Sequence, residues 1–227
     1  MAERLDERFH EPEELRLNLE HLAGVSRWLG GERSVVGHLR SHVLGPTCQR
    51  VSLLDVGAGG ADLARRLITQ FSSARPRRLR VFAMDRLHPA ARLAARWCAS
   101  IPAITVLVGD GLNIPLPDKC VDIAYSSTTL HHLTTDEAVR FVRELARVAR
   151  DTVIIGDLER HVLAWFAAHL FAYTWWRRSV YRHDGPLSVR RAFTRRELYE
   201  IGVAADLSEP RVYRHFPFRL TLVAGVQ

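Results

Sequence analysis

The feature that most constrains the fold is an apolar run that ends in an acidic, glycine-rich turn. The run VSLLDVG occupies Val51–Gly57, and its nearly continuous apolar character is typical of a strand buried on both faces of a parallel sheet. Gly57, Gly59 and Gly60 then lead into a helical pattern. Glycine permits positive φ and lets a ligand approach the backbone closely. A chain with this feature is expected to bind a nucleotide-like ligand at the carboxyl end of a sheet.

The rest of the chain repeats the strand-then-helix pattern. Short apolar runs alternate with helical patterns from Arg50 to Leu158, which indicates β–α–β units. Further strands are predicted at 79–85, 104–110, 121–127 and 152–158, and two closing strands at about 211–215 and 219–224. A tight link through Pro217 joins the closing pair and predicts an antiparallel hairpin. The predicted fold is α/β: a Rossmann-like seven-stranded, mostly parallel sheet with helices on both faces.

A length of 227 residues fits one domain with additions to its core. Residues 1–49 are predicted to form an N-terminal helical cap, whose two helices run from Pro12 to about Val43 and break at Gly30–Gly31. Residues 50–158 form the binding core and 159–193 an inserted aromatic lid. Residues 194–227 form a closing helix, capped by Thr194, and the hairpin.

Asp62 argues against a pyrophosphate ligand at the glycine turn. It occupies the third position of the G-x-G-x-x-G pattern, where a carboxylate would repel a phosphate at the helix N-terminus. No G-K-[ST] follows, so the P-loop pattern fails as well. A phosphate-free nucleoside that carries cationic groups suits this acidic turn better.

Acidic residues also end the next two strands. Asp85 ends the second strand, where a carboxylate can accept hydrogen bonds from both hydroxyls of a ribose. Asp110 ends the third, where it can accept from an adenine amino group while Leu112 packs on the base. Each acid alone could simply cap the next helix. Three in succession after a glycine turn favour a binding site.

These motifs resemble the class I S-adenosylmethionine-dependent methyltransferases, in the small-molecule branch called methyltransferase type 11. The similarity lies in LLDVGAGGADLA, VFAMD, VLVGDGLNIPLPDKCVDIAYSSTTLHHL and TVIIGDL, and covers about Val51 to Leu158. One departure is Ala61, where the family pattern has its third glycine. The segments RWLGG and HDGPLSVRRAFT are similar to bacterial methyltransferases that accompany polyketide synthases.

The resemblance implies S-adenosylmethionine as the cofactor and no metal. Matched by position, Asp55, Gly57 and Gly59 would line its methionine part. Asp85 and Arg86 would bind the ribose, and Asp110, Gly111 and Leu112 would face the adenine. Ser126 or Ser127 would lie beneath the sulfonium.

Methyl transfer from a sulfonium is an in-line displacement by an acceptor that the enzyme must align. A hydroxyl acceptor also needs a base, and histidine suits proton removal near neutral pH. His132 is the preferred candidate and His131 the alternative, both at the carboxyl end of the fourth strand; His183, in the lid, competes with them.

The expected activity is O-methylation of a phenolic or polyketide-like small molecule, with C- or N-methylation, RNA methylation and a non-catalytic partner subunit as alternatives. Aromatic lid residues are expected to form an apolar wall for the acceptor, or simply to pack the lid: Trp165, Phe166, Phe171, Tyr173, Trp175 and Trp176. Nearby arginines could hold an acidic or carrier-bound acceptor, or lie in solvent: Arg177, Arg178, Arg190 and Arg191.

Composition narrows the partners and the location. The formal net charge of +7 would suit a nucleic-acid partner, but acidic and basic residues interleave and no N-P-P-[YF] motif occurs. Three widely spaced cysteines argue against disulfides or a zinc site and suit the cytoplasm. The apolar stretch His161–Trp176 is shorter than the ~20 residues of a membrane span. Nothing in the sequence indicates an oligomeric state.

Overall fold

The computed structural model describes residues 12–43, 50–72, 79–174 and 181–226, without the side chains of 12, 72, 171–174 and 181–184. Its helices are α1 Pro12–Trp28, α2 Gly31–Val43, α3 Asp62–Ser72, α4 His88–Cys98, α5 Thr135–Val148, α6 Val162–Thr174, α7 Tyr181–Arg191 and α8 Arg195–Ala204. Its strands are β1 Val51–Val56, β2 Leu79–Asp85, β3 Ile104–Val108, β4 Val121–Ser127, β5 Ala149–Leu158, β6 Ser208–His215 and β7 Arg219–Gly225. A short 3₁₀ helix spans Leu130–His132.

The seven strands form one sheet in the order β3-β2-β1-β4-β5-β7-β6. Strands β1 to β5 are parallel to one another, and β7 runs antiparallel to both β5 and β6. The predicted Rossmann-like sheet with its antiparallel hairpin is therefore confirmed. Strand β3 ends at Val108, two residues before the predicted end, because Asp110 bends into a turn and pairs with Asn113.

Strand β1 is apolar on both faces because helices cover both. Leu53 packs in the core with α2, α3 and α4, whereas Leu54 and Val56 pack in the core with α5 and α8. Both leucines are fully buried, and each such side chain stabilises the fold by about 1.5–3 kcal/mol. This double burial fixes β1 at the centre of the sheet and aims its carboxyl end at the glycine turn.

Threonine capping boxes start two of the core helices. Thr134 Oγ1 accepts from the Glu137 amide at the start of α5, and the Glu137 carboxylate accepts from the Thr134 amide at 2.9 Å. Thr194 and Glu197 repeat the arrangement at α8. Each cap contributes roughly 1 kcal/mol.

The two N-terminal helices and the two lid helices lie near the carboxyl ends of the parallel strands. Helix α2 packs on β5 and β7, while α6 and α7 pack on each other. No helix in the described ranges combines the length and apolar character needed to cross a membrane. The division into one domain with a cap and a lid stays a prediction, and its parts 1–11 and 44–49 lie outside the described residues.

Candidate active site

A cavity of about 650 Å³ opens at the carboxyl ends of β1, β2 and β4. Strand β1 lies between β2 and β4, so the strand order runs outward from β1 to β2 and β3 on one side and to β4 and β5 on the other. Ligands of open α/β sheets bind at the point where the strand order reverses in this way. The cavity wall includes the glycine turn, the ends of β2 and β4, α1, and parts of both lid helices. This volume is within the range of small-molecule sites.

The glycine turn is held from two sides. Gly57 and Gly59 have φ of +79° and +52°, values that side-chain-bearing residues rarely adopt. The amides of Gly57 and Ala58 both donate to the Met84 carbonyl, at 2.9 and 3.0 Å. A Cβ at Gly57 would overlap the Thr129 side chain. The turn therefore requires glycine at position 57 for both its conformation and its packing.

Ala61, the departure from the family pattern, keeps the conformation that glycine would adopt. Its φ is +56°, and it is fully buried. A left-handed conformation costs an L-residue roughly 1–2 kcal/mol. The backbone still closes the turn, because the Ala61 amide donates to the Ala58 carbonyl at 2.8 Å and the Ala61 carbonyl accepts from Arg65.

Asp85 ties the end of β2 to the glycine turn. Its Oδ2 accepts from the Gly59 amide and its Oδ1 from the Leu87 amide, both at 2.8 Å. An ionised carboxylate has about four acceptor positions, so two remain for hydroxyl donors in the cavity. Arg86, beside it, is exposed and also lines the cavity.

The loop after β3 forms the adjoining part of the wall with the three residues that the sequence assigned to the adenine. Asp110 Oδ1 accepts from the Leu112 amide at 2.9 Å, which closes a tight turn. Gly111 lies against Phe141 and Val56, where a Cβ would overlap both side chains. Asp110, Gly111 and Leu112 all line the cavity.

Asp55 is a buried carboxyl group with no ion pair to any described residue. It is 2% exposed, at the end of β1. Burial raises its pKa to about 7; the adjacent Tyr125 hydroxyl opposes this rise and the negative charge of Asp85 adds to it. Close to neutral pH, part of the population therefore holds Asp55 as a neutral acid.

This burial predicts a loss of stability as pH rises. Between about pH 4, the ordinary pKa of an aspartate, and about pH 7, the native state holds a proton on Asp55 that the unfolded state has released. The free energy of unfolding of the ligand-free protein should fall across this window by up to about 4 kcal/mol. Urea unfolding at several pH values tests this, with Asp55→Asn as the matched variant. If the wild type and the variant show the same pH dependence, Asp55 does not titrate as described.

Ser126 and Ser127 have different environments. Ser127 lines the cavity. Ser126 is buried within the sheet, where its hydroxyl donates to the Val56 carbonyl at 2.7 Å. The predicted place beneath the sulfonium is therefore wrong for the Ser126 side chain, because consecutive strand residues point to opposite faces.

His131 is paired with a carboxylate from the next strand. Its Nδ1 lies 2.7 Å from Asp157 Oδ1, and its backbone amide donates to Asp157 Oδ2 at 2.9 Å. Both residues are 3% exposed. Burial alone would raise the pKa of Asp157, but the charge and hydrogen bonds of His131 and the Leu158 amide bring it below the ordinary value. Asp157 is thus an anion that holds Nδ1 and leaves Nε2 for a ligand.

His132 lies beside His131 on the cavity wall. Its ring packs on the ring of His131, with centroids 4.2 Å apart, and both residues line the cavity. The buried pair with Asp157 makes His131 our candidate base, whereas the sequence favoured His132. The sequence signal that could have indicated the His131–Asp157 pair is the position of Asp157 near the end of the TVIIGDL strand, which places it at the carboxyl edge of the sheet.

The lid presents small residues to the cavity. Ala164, Ala167 and Ala168 face inward at helical spacing. Trp165 and Phe166 are exposed and absent from the cavity wall, so the predicted aromatic wall is wrong for these two. The side chains of Phe171, Tyr173 and His183, and residues 175–178 altogether, lie outside the described residues. Arg190 and Arg191 are not part of the wall.

Helix α1 and the start of β7 supply wall residues that the sequence analysis missed. Leu15, Leu19 and Leu22 recur at i, i+4 and i+7, a spacing that indicates one apolar helix face, and all three line the cavity. Arg219 also lines it and is 3% exposed. No sequence signal marks Arg219 as buried.

Comparison with known proteins agrees with this geometry. The family model described as a methyltransferase domain matches residues 53–152. Residues 53–152 therefore form a methyltransferase domain. The family, the enzyme class and the S-adenosylmethionine cofactor predicted from the sequence are therefore confirmed. A search of curated protein sequences found no match.

Solved structures share the methyltransferase fold at low identity. A methyltransferase from Aquifex aeolicus is 22% identical, with 97% of this chain and 100% of that one aligned and a TM-score of 0.65. Human N-acetylserotonin methyltransferase is 13% identical, over 94% and 56% of the two chains, with a TM-score of 0.67. A family 2 O-methyltransferase from Planctomyces limnophilus is 15% identical, over 98% and 63%, with a TM-score of 0.69.

The residues of the methyltransferase cavity fit S-adenosylmethionine chemically. Carboxylates lie at the ends of β1, β2 and β3, where they suit ribose hydroxyls and an amino group. Asp62 and Glu32 also line the wall, where they form ion pairs with Arg65 and Arg66. Asp85 would hold the ribose, and the turn at Gly57–Gly59 would receive the methionine part.

Proposed function

We propose that this methyltransferase methylates a hydroxyl group of a small phenolic or polyketide-like molecule. The observation that carries the proposal is the buried His131–Asp157 pair on the cavity wall. A histidine fixed at Nδ1 by a carboxylate is the arrangement of a general base, because it directs the free nitrogen and stabilises the imidazolium that forms.

Two chemically different regions of the cavity support a two-ligand site. The acidic region, with Asp55, Asp62 and Asp85, lies around the glycine turn. Other wall residues are apolar and include the α6 alanines, Leu158 and Phe218. The first suits the cofactor, and the second suits an apolar acceptor whose reacting group lies beside His131.

S-adenosylmethionine supplies, when bound, an activated methyl group on sulfur. His131 Nε2 would accept the hydroxyl proton as the acceptor oxygen forms its bond to the methyl carbon and the carbon–sulfur bond breaks. Asp157 would remain ionised and stabilise the protonated His131. The α1 and α6 side chains would hold the acceptor in line and exclude water.

The names of similar structures include both O-methylation and C-methylation. They include N-acetylserotonin methyltransferase and an O-methyltransferase in complex with apigenin, and also a carbon methyltransferase and the CMeT domain of a polyketide synthase. A carrier-bound acceptor and a role in secondary metabolism belong to the same proposal. His132 and His183 are the alternative bases.

Incubation with methyl-labelled S-adenosylmethionine and separate pools of phenolic compounds and RNA tests the acceptor class. We expect label in the phenolic pool, released by reagents that cleave aryl methyl ethers. Label that resists ether cleavage would indicate methylation at carbon or nitrogen, and label confined to RNA would overturn the small-molecule proposal. Heat-inactivated protein is the control.

A further inference from the structure

Arg219 is a buried cation on the cavity wall. It is the first residue of β7, and its side chain reaches the wall between the α1–α2 turn and the end of β4. Its Nε donates to the Leu29 carbonyl at 3.2 Å, and its Nη1 donates to Thr128 Oγ1 at 3.4 Å. A Cβ at Gly31 would come within 3.2 Å of Nη1, so the guanidinium lies directly against that backbone. These contacts hold the group in one position.

The described residues do not neutralise this charge by a direct ion pair. A guanidinium has five N–H donors, and two of them have acceptors among these residues. No described carboxylate lies within the 4.0 Å of an ion pair with Arg219. Burial lowers the pKa of Arg219, and the charge of Asp157 opposes that change from a longer distance. A buried cation without a paired anion is costly, so an anion in the cavity would stabilise it.

Asp157 is not available to serve as that partner. Its carboxylate already accepts from His131 Nδ1, the His131 amide and the Leu158 amide, at 2.7, 2.9 and 2.7 Å. Arg219 and His131 therefore flank the same carboxylate without sharing a hydrogen bond to it. In the sheet, Arg219 is the register partner of Leu158, the residue after Asp157, and Arg219 and His131 both line the cavity. An acceptor whose hydroxyl reaches His131 can therefore present a second group to Arg219.

We infer that Arg219 binds an anionic group, of the carboxylate class, next to the reacting hydroxyl of the acceptor. The inference rests on the proposed function and deepens it: the acceptor is a hydroxy acid rather than a neutral phenol. The cofactor also has a carboxylate, on its methionine part. That part is expected at the glycine turn. Arg219 is the register partner of Leu158, the residue after Asp157, which favours the acceptor as the source, and the test below separates the two sources.

Calorimetry on the complex with S-adenosylhomocysteine tests the inference. The probes are 1-hydroxy-2-naphthoate and its neutral analogue 1-hydroxy-2-naphthamide. The wild type should bind the acid about ten- to a hundredfold more tightly than the amide, the range expected for a hydrogen bond to a charged group. Equal binding, weaker binding of the acid, or binding of neither would overturn the inference without any variant being needed.

Arg219→Gln should reduce the acid-to-amide preference to below about threefold. Arg219→Lys, which keeps the charge but loses the planar fork, should retain part of it. Arg196→Gln is the matched control, because Arg196 is exposed on α8 and should leave the preference unchanged. Should Arg219→Gln fail to fold, the acid-to-amide ratios of Arg219→Lys and of the wild type still test whether Arg219 binds the anionic group.

Two further measurements separate the cofactor carboxylate from an acceptor carboxylate, and the inference from the proposed function. If Arg219→Gln weakens S-adenosylhomocysteine binding and leaves the acid-to-amide ratio unchanged, the arginine binds the cofactor carboxylate and the inference is wrong. His131→Gln should keep the acid preference in binding while it loses methyl transfer. If His131→Gln keeps methyl transfer, only the role of His131 as the base is wrong, whereas equal binding of the acid and the amide by the wild type contradicts only the inference.

Discussion

Replacing His131 by glutamine is expected to lower kcat by about a hundred- to ten-thousandfold, the usual contribution of a general base. Glutamine has a similar size and can still donate toward Asp157, so the fold of the 3₁₀ helix should persist. It cannot take up the hydroxyl proton. Stopped assays with labelled S-adenosylmethionine and an acceptor found in the phenolic screen measure the loss.

Binding separates this result from a structural defect. The dissociation constant for S-adenosylhomocysteine, measured by calorimetry, should change less than about threefold, because the cofactor carboxylates lie on other strands. Asp157→Asn should reproduce most of the kcat loss, since an amide cannot accept all three hydrogen bonds that Asp157 accepts now. His42→Gln, on α2 and outside the cavity wall, is the control. A larger loss in His132→Gln than in His131→Gln would make His132 the base.

Replacing Asp85 by alanine should weaken S-adenosylmethionine binding by about a hundredfold or more. Two hydrogen bonds from ribose hydroxyls to a carboxylate contribute roughly 1.5–3 kcal/mol each. The substitution also removes the acceptor of the Gly59 amide and so loosens the glycine turn. Calorimetry measures the affinity directly, and the rise in melting temperature with added cofactor reports it independently.

Asp85→Asn separates the two effects of that change. Its side-chain oxygen can still accept from one backbone amide, so the turn should stay in place while the charge is lost. We expect an affinity between those of the wild type and Asp85→Ala. Asp151→Ala, an exposed change on β5, should bind as the wild type does. Unchanged cofactor affinity in Asp85→Ala would show that this carboxylate does not bind the ribose.

Local chemistry explains why much of the fold was predictable from sequence. Strand β1 needs apolar residues on both faces, so VSLLDV identifies a central strand without knowledge of its neighbours. Capping boxes at Thr134 and Thr194 act within four residues, so their helix starts are readable too. Because parallel strands share a carboxyl edge, acids at the ends of successive strands were expected to meet, and Asp85 and Asp110 line one cavity.

The choice between neighbouring histidines was not available from sequence. His131 and His132 follow the same strand, and the carboxylate that His131 contacts, Asp157, lies 26 residues later in the chain. The register of β4 against β5 brings the pair together, and register depends on the packing of the whole sheet. The prediction of an aromatic cavity wall was wrong for Trp165 and Phe166 for a related reason. Composition identifies an apolar helix, but only its docking decides that alanines face the cavity and that Trp165 and Phe166 do not.

The sequence by itself determined the α/β sheet, the glycine turn and the carboxylates of the cofactor region, because these depend on local patterns and on the common edge of parallel strands. The tertiary structure decided that His131 meets Asp157, which helix faces line the cavity and where Arg219 lies. Those features join residues distant in the chain: Arg219 contacts the Leu29 carbonyl and the Thr128 hydroxyl, 190 and 91 positions away. Such contacts exist only once the hairpin, β4 and the N-terminal helices have packed together, and no local pattern encodes their meeting.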